Sequence, residues 1–333
     1  MDEQAALEQT ELRQAEEATQ QETALIEMRQ TSQGLWQPRD DTALLALRES
    51  IPGLWDVSNE GYHSDKEYLT HSMLEDFKLS IPYFYEKHVA QTIVDDPTPA
   101  LLLGTVVHAF VLEPHTAEGR FLVYPEGDGR TTAVKEARQR VATEARKTGK
   151  TVVTAAQWET AERMRDSAWD RERHPAVVEI LEMEGLCEQS VKCEDETWGK
   201  RKVRLDKLFP AGHGLNLKTT RALGPDAFGR QAFSLGYHRE TAHYQDCLDL
   251  IFGEGLGRYL YIAIWNEPPF DTIVYEMDVA DQALGRRDNH RLMTELAKRR
   301  KTDDWTSRWK GLVPLRLPAY AHRQAEPEGE DEE

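Results

Sequence analysis

The chain has 333 residues, 30% of them charged, and a formal net charge of −18 at pH 7. This length supports one large hydrophobic core or two smaller ones. No apolar run approaches the roughly 20 residues of a membrane-spanning helix, and the acidic, polar N-terminus argues against a secretory signal. Three cysteines without a CxxC spacing argue against a zinc ribbon or an iron–sulfur cluster, and they predict a reducing compartment, the cytoplasm.

The acidic balance limits how the chain could bind nucleic acid. A protein that coats DNA with its outer surface is usually basic. Any contact with DNA would therefore be confined to a local basic groove or an enclosed channel.

Three regions are predicted along the chain. Residues 1–60 predict an acidic helical arm and a linker. The arm reads as a solvated segment, with an oligomerisation helix as the alternative. Residues 61–322 predict the main domain, and residues 323–333, which are rich in Glu and Asp, predict a disordered acidic tail.

Helices dominate the first part of the predicted domain. Two are indicated by LTHSMLEDFKLSIPYFYEKHV, with Pro82 beginning the second. A single buried helix that contains His108 is indicated by TPALLLGTVVHAFVLEP. The charged segment 130–174 is predicted to be helical.

The pattern changes to short alternating runs between residues 186 and 220, which predict an antiparallel meander. One long helix is then indicated by PDAFGRQAFSLGYHRETAHYQDCLDLIFG. Two strands, RYLYIAIWNE and DTIVYEMDV, precede a final helix at about 280–301. The predicted fold class is α/β or α+β, a mixed sheet flanked by helices.

The stretch RKVRLDKLFPAGHGLNLKTT carries the residues that suggest chemistry. It predicts two strands around a turn, with Asp206 on the first strand. Asn216 and Lys218 would share one face of the second, with the intervening leucines in the core. Metal-assisted cleavage of a phosphodiester needs carboxylates for Mg²⁺ and a cation near the developing negative charge. A surface ion pair on a hairpin is the alternative that these residues alone leave open.

Other candidates are weaker when each is taken alone. His108 on an apolar helix reads most simply as a hydrogen-bonded core histidine. The basic run at 298–301 reads as the solvated end of the last helix. The helix TTAVKEARQRVATEARKTGK is a weak candidate for DNA binding, because Glu136 and Glu144 interrupt its basic character.

Taken in order, LTHSMLEDFKLSIPYFYEKHV, ALLLGTVVHAFVLEP, KVRLDKLF, LNLKTT, GYHRETAHYQD and EPPFDTIVYEMDV resemble the RecE-like branch of the PD-(D/E)xK nucleases. These are phage and prophage exonucleases similar to the C-terminal domain of exodeoxyribonuclease VIII. The resemblance covers about residues 60–320. It implies a restriction-endonuclease-like core.

The resemblance also implies roles for individual residues. The implied metal site, for Mg²⁺ with Mn²⁺ as a substitute, consists of His108, Asp206, Asn216 and the Leu217 carbonyl. The implied catalytic residues are Lys218, Asp206 and Glu240. The residues expected near DNA are Arg204, Thr219, Thr220, Arg221, Tyr237 and Tyr244, and Glu188 is expected to support the site.

Two positions depart from the family pattern. Asn216 stands where the family has a second acid, and Glu240 stands where it has a glutamine. Three explanations are open: a substitution that silences the nuclease, transfer of the acidic ligand to Glu240, or a natural relative that does not catalyse.

The function implied by the resemblance is digestion of duplex DNA ends to leave single strands for recombination. A ring-like homo-oligomer and a single-strand annealing protein as partner are implied with it, and no membrane is expected. The alternative is a non-catalytic DNA-binding or assembly protein. Metal held by Asp206 and Glu240 would favour the enzyme, and Lys218 paired with another acid would favour the alternative. A restriction-like endonuclease is disfavoured, because no separate target-recognition domain is evident.

Overall fold

The computed structural model describes residues 53–55, 57–93, 98–128, 130–209, 212–253 and 258–317. They form two compact units. The larger unit contains the described residues of 53–71 and 98–290, and the smaller contains 72–93 and 291–317. Most of the predicted N-terminal arm and the whole predicted tail lie outside the described residues.

The elements follow one another in chain order. The first are β1 (Leu54–Trp55), α1 (Asn59–Ser64), α2 (His71–Leu79), α3 (Ile81–Phe84) and a π-helical turn at Tyr85–Val89. Next come α4 (Pro99–Leu112), α5 (Pro114–Arg120), β2 (Phe121–Val123), α6 (Thr132–Thr148), β3 (Thr151–Val153), α7 (Ala155–Ala168) and α8 (Pro175–Glu182). The last are β4 (Leu186–Asp195), β5 (Gly199–Leu208), β6 (Gly214–Thr220), α9 (Pro225–Leu235), α10 (Tyr237–Phe252), β7 (Tyr259–Trp265), β8 (Thr272–Glu276) and α11 (Val279–Thr302).

A six-stranded mixed sheet forms the centre of the larger unit, in the order β1-β4-β5-β6-β7-β8. The predicted antiparallel meander is confirmed, because β5 pairs antiparallel with β4 on one side and with β6 on the other. Strands β6 and β7 are parallel, and the chain between them contains α9 and α10. A parallel pair needs such a crossover because its two strands run in the same direction. β1 lies in the stretch predicted as a linker and pairs with β4.

Both faces of this sheet are covered by helices. On β7, Leu260 and Ile262 belong to the apolar cluster that also contains buried residues of α4, α7 and α8. Tyr259 and Tyr261 alternate with them and belong to a second cluster, with buried residues of α9 and α10. A strand buried on both faces reads as a continuous apolar run, as YLYIAIW does. The predicted mixed sheet flanked by helices is therefore confirmed.

The predicted apolar helix around His108 is confirmed as α4. The Thr98 hydroxyl accepts a hydrogen bond from the Leu101 amide at 3.2 Å, and Pro99 occupies the first turn, where its missing N–H costs nothing. Val107 and Phe110 are buried in the apolar cluster that also contains residues of β6 and β7. Among the described residues, no helix has the length and apolar character needed to cross a membrane.

The prediction of helix throughout 130–174 is wrong at residues 151–153. These residues form β3, which pairs in parallel with β2. Gly149 ends α6 with φ of +70°, a conformation that costs glycine little. The β-branched sequence Thr-Val-Val that follows suits a strand.

The single long helix predicted after the meander is also wrong, because it is two helices. Gly236 separates α9 from α10 with φ of +77°. Apolar spacing continues across this position, so periodicity alone did not reveal the break. The break sets the direction in which α10 leaves α9, and α10 carries residues of the candidate site.

Stacked aromatic rings and the contacts of one arginine stabilise the smaller unit. The rings of Phe84 and Trp305 stack with centroids 6.0 Å apart. Arg308 donates from Nη2 to Oε2 of Glu295 at 2.8 Å and from Nη1 to the Phe77 carbonyl at 3.0 Å. The two predicted helices before residue 90 and the final helix are confirmed, with a π-helical turn added after α3.

Candidate active site

The hydrogen-bond ladder of the sheet is interrupted on both sides of Asp206. Between β4 and β5, pairing is present at Cys187–Lys207 and again at Gln189–Leu205, but not between the facing residues Glu188 and Asp206. Between β5 and β6, pairing is confined to residues 207–208 and 214–215. The strands thus separate around the Asp206 carboxylate, which leaves room for side chains to converge.

Glu188 adopts a strained backbone conformation at this interruption. Its φ is +51°, a region that residues other than glycine enter at a cost of about 1–2 kcal/mol. Within β4 this conformation breaks the regular alternation of side chains. At this position the Glu188 carboxylate lies close to that of Asp206.

His108, Glu188 and Asp206, named here the carboxylate cluster, could hold a metal ion. One ligand atom from each lies within 4.8 Å of the other two. His108 Nδ1 is 3.4 Å from Asp206 Oδ2, and all three side chains are partly buried. Two carboxylates and an imidazole are a donor set that fits Mg²⁺ or Mn²⁺.

The charges of the cluster point to the same chemistry. Burial raises the pKa of Glu188, and the Asp206 carboxylate raises it further against the opposing effect of Arg204. For Asp206, burial would raise the pKa, but His108 and Lys218 outweigh it and the pKa is lowered. A divalent cation between the two carboxylates would relieve the repulsion that raises the pKa of Glu188.

His108 responds to the same carboxylates. Burial alone would lower its pKa, but Asp206 and then Glu188 outweigh burial and raise it. A metal ion takes the neutral imidazole as its ligand, so cation binding would release a proton from any charged His108.

Asn216 bridges the separated strands. Its side-chain oxygen accepts a hydrogen bond from the Asp206 amide at 3.3 Å. The neighbouring Leu217 amide donates to Asp206 Oδ2 at 2.6 Å. The side chain of Asn216 therefore replaces a missing ladder bond and brings no charge to the site.

A second group, named here the lysine network, consists of Lys218, Glu240 and Tyr261. Lys218 Nζ lies 3.0 Å from Glu240 Oε1, and the Tyr261 hydroxyl donates to Glu240 Oε2 at 3.1 Å. The ammonium also lies over the Tyr237 ring, 4.9 Å from its centroid. Burial would lower the pKa of Lys218, but Glu240 outweighs it and the pKa is raised. The lysine is thus held in its charged form.

The residues predicted to contact DNA differ in exposure and in their hydrogen-bond partners. Arg221 is exposed and Thr219 is partly exposed at the end of β6. Thr220 is buried and its hydroxyl is 2.9 Å from Gln231 Oε1. Arg204 donates to Glu188 at 2.9 Å. The two predicted tyrosines of α10 lie among the side chains described above.

Two residues belong to these groups although sequence reasoning did not place them there. Glu188 was expected only to support the site, yet it belongs to the carboxylate cluster, and no local pattern signals its left-handed conformation. Tyr261 was not singled out at all. A signal was present, because a tyrosine in a buried apolar strand needs a partner for its hydroxyl.

The fold is a mixed sheet, and acids and a lysine lie together where neighbouring strands separate. This combination defines the PD-(D/E)xK nuclease superfamily, and the site supports a nuclease. The family described as "PDDEXK-like domain of unknown function (DUF3799)" matches residues 70–308, and the chain belongs to this family.

A comparison with solved structures agrees with this fold. A search of curated proteins found no match. Among solved structures, one similar chain is the crystal structure described as "Putative exonuclease" from Eubacterium rectale, with a TM-score of 0.51 and 15% sequence identity. The match covers 82% of this chain and 99% of that one. At this identity the likeness shows the fold alone.

Proposed function

We propose that this chain is a divalent-cation-dependent deoxyribonuclease of the RecE-like branch that digests duplex DNA from its ends. The observation that carries the proposal is the carboxylate cluster, which brings two carboxylates and an imidazole together beside the charged Lys218. Membership of a PDDEXK-like family supports it.

The carboxylate cluster would hold Mg²⁺, or Mn²⁺ in its place. When bound, the ion would supply Lewis-acid assistance at the phosphodiester and would lower the pKa of the nucleophilic water. The chain orients its own ligands for this task. The Leu217 amide fixes one oxygen of Asp206, and Arg204 fixes one oxygen of Glu188. Further ligands proposed by resemblance are the Leu217 carbonyl and Asn216.

Lys218 would place a positive charge beside the scissile phosphate. A preorganised cation in a partly buried site stabilises developing negative charge more strongly than it would in water. Glu240 and Tyr261 position this ammonium from behind. Glu240 therefore acts in the proposal through Lys218, and Thr219 and Arg221 are proposed to contact the DNA backbone.

The missing acid at position 216 has a structural counterpart. Glu188 already provides a second carboxylate beside Asp206, so two acids are present although residue 216 is an amide. The strain at Glu188 supports a functional role, because strained backbone conformations cluster at active sites and ligand-binding positions.

One observation favours a second candidate function. Lys218 is paired with Glu240, as expected for a non-catalytic DNA-binding or assembly protein on this fold. In such a protein the ion pair would serve stability alone. We favour the enzyme because ion pairing does not explain why Glu188 is strained toward Asp206.

The wider role is proposed from the resemblance. Digestion of one strand from duplex ends would supply single-stranded DNA for recombination, with a single-strand annealing protein as partner. A ring-like homo-oligomer is compatible with the net charge of −18, because a channel can be basic while the exterior stays acidic. A phage or prophage origin and a cytoplasmic location belong to the same proposal.

The test compares cleavage of linear and covalently closed duplex DNA with Mg²⁺ and with Mn²⁺, for this chain and for Asn216→Asp. Cleavage of linear DNA by this chain, changed less than tenfold in the variant, would support Glu188 as the second acid. An inert chain with an active Asn216→Asp variant would identify Asn216 as the residue that silences an otherwise complete site. If both proteins bind DNA and neither cleaves it, the second candidate function replaces the first.

A further inference from the structure

Two of the three cysteines meet inside the larger unit. Cys193 lies on β4 and Cys247 lies on α10, and both side chains are buried. Their sulfur atoms are 2.6 Å apart. This is about half an ångström more than the ~2.05 Å length of a disulfide bond.

The surroundings of the pair favour thiol chemistry at one of its members. Arg201 is directly opposite Cys193 in the β4–β5 ladder, and its guanidinium is buried. The hydrogen bond with Cys247 lowers the pKa of Cys193, and Arg201 lowers it further against the effect of burial. Burial raises the pKa of Cys247. Disulfide exchange requires one cysteine that attacks as a thiolate and a second cysteine that then displaces the small thiol.

We propose that Cys193 and Cys247 form a reversible disulfide that fastens α10 to β4. Local opening of α10, which carries Cys247, gives a low-molecular-weight disulfide access to the buried Cys193. The Cys193 thiolate attacks this disulfide, which forms a mixed disulfide and releases one small thiol. Cys247 then loses its proton and attacks the Cys193 sulfur, which releases the second small thiol. The two cysteines lose two electrons in total, and one small disulfide is reduced to two thiols.

The position of the bond connects it to the candidate site. Cys247 lies one helical turn beyond Tyr244 on α10, the helix that also carries Glu240. The cross-link would join residues 54 positions apart in the chain and hold this helix to the central sheet. The oxidised protein would have a more rigid α10 and a higher melting temperature, by about 5–10 °C.

Cys187 provides an internal control. It is only partly buried, and its thiol donates to the Leu112 carbonyl at 3.5 Å. Burial raises the pKa of this thiol to about 11, which makes it a poor nucleophile near neutral pH.

The first test counts thiols after equilibration of the full chain with reduced or oxidised glutathione, followed by acid quenching, denaturation, alkylation and intact-mass measurement. We expect three alkylated cysteines under reducing conditions and one, Cys187, under oxidising conditions. Cys193→Ser should keep both remaining thiols alkylated, and Cys187→Ser should still form the disulfide. Three alkylated cysteines at the most oxidising ratio, or a bond that involves Cys187, would overturn the proposal.

The second test measures hydrogen exchange of the α10 amides in the oxidised and reduced chain. Exchange should slow at least about fivefold on oxidation and should not change in Cys193→Ser. A disulfide that forms without slowing exchange in α10 would overturn the claim that it fastens the helix. Neither measurement involves DNA, so failure of the proposed nuclease activity would leave both results interpretable.

Discussion

The carboxylate cluster and the lysine network differ in charge balance: the first contains two carboxylates that repel one another, and the second contains an ion pair. In the cluster, Glu188 and Asp206 repel one another, and burial together with that repulsion raises the pKa of Glu188. In the network, the ammonium of Lys218 is neutralised by Glu240 and flanked by aromatic rings. The carboxylate cluster is suited to bind a cation from solution, whereas the lysine network already contains the cationic ammonium of Lys218.

This difference follows from how each region is built. The cluster lies where two ladders of the sheet are interrupted, so its carboxylates are positioned by a strained residue and by hydrogen bonds across the gap. The network lies between a regular strand and α10, where ordinary packing fixes each partner. The comparison shows that cation affinity and transition-state stabilisation should be separable by mutation.

The largest effect is expected when the cluster is broken. Asp206→Ala should lower DNA cleavage by about 10³–10⁴, equivalent to about 4–5.5 kcal/mol of transition-state stabilisation, because both metal ligation and the Leu217 contact are lost. Binding of Mn²⁺, measured by calorimetry, should be lost as well. Glu159→Gln, an exposed acid on α7, is the matched control and should change neither quantity. Unaltered Mn²⁺ binding in Asp206→Ala would place the cation elsewhere.

Removal of the charge in the network should give a different signature. Lys218→Met should lower the maximal cleavage rate by about 10²–10³ while Mn²⁺ affinity stays within about threefold, because Lys218 is not a ligand. Since this variant leaves the buried Glu240 without its ion-pair partner, the double variant Lys218→Met/Glu240→Gln serves as the stability control. A parallel loss of rate and cation affinity would show that the two regions are not separable.

Substitution of Glu188 tests whether its strain serves cation binding. Glu188→Ala and Glu188→Gly both remove the carboxylate and the Arg204 contact, so each should weaken Mn²⁺ binding by about 30-fold, roughly 2 kcal/mol. The glycine variant should be about 1 kcal/mol more stable to urea than the alanine variant, because only glycine relaxes at positive φ. Equal stability of the two variants would mean that position 188 carries no strain.

The smallest effect is expected from Glu240→Gln, and it depends on pH. Glu240 raises the pKa of Lys218 above its ordinary value of 10.5 in the folded chain. The stabilisation is therefore fully present below pH 10.5 and is lost as the pH rises through the folded-state value. The variant should unfold about 1–2 kcal/mol more easily at pH 7, and the difference should shrink above pH 10.5. A difference that grows with pH would contradict the assignment of the pair.

The sequence by itself determined most of the secondary structure and the order of the site residues. Apolar spacing and caps are local properties, so α4, the meander and the strand β7 could be predicted from residues close together in the chain. The same reasoning placed Asp206 and Lys218 on adjacent strands, and the resemblance named His108. Prediction from local patterns failed at Gly236, where a glycine at positive φ ends one helix although the apolar spacing continues. It also failed at β3, which follows a helix that ends at Gly149, another glycine at positive φ.

Only the tertiary structure decided how these residues meet. The pairing of Lys218 with Glu240 joins residues 22 positions apart through the packing of α10 on the sheet, which no local period encodes. The part played by Glu188 depends on a left-handed backbone at an interrupted ladder. Contacts between separate elements depend on register and strand separation, and these are set by the packing of the whole unit rather than by neighbouring residues.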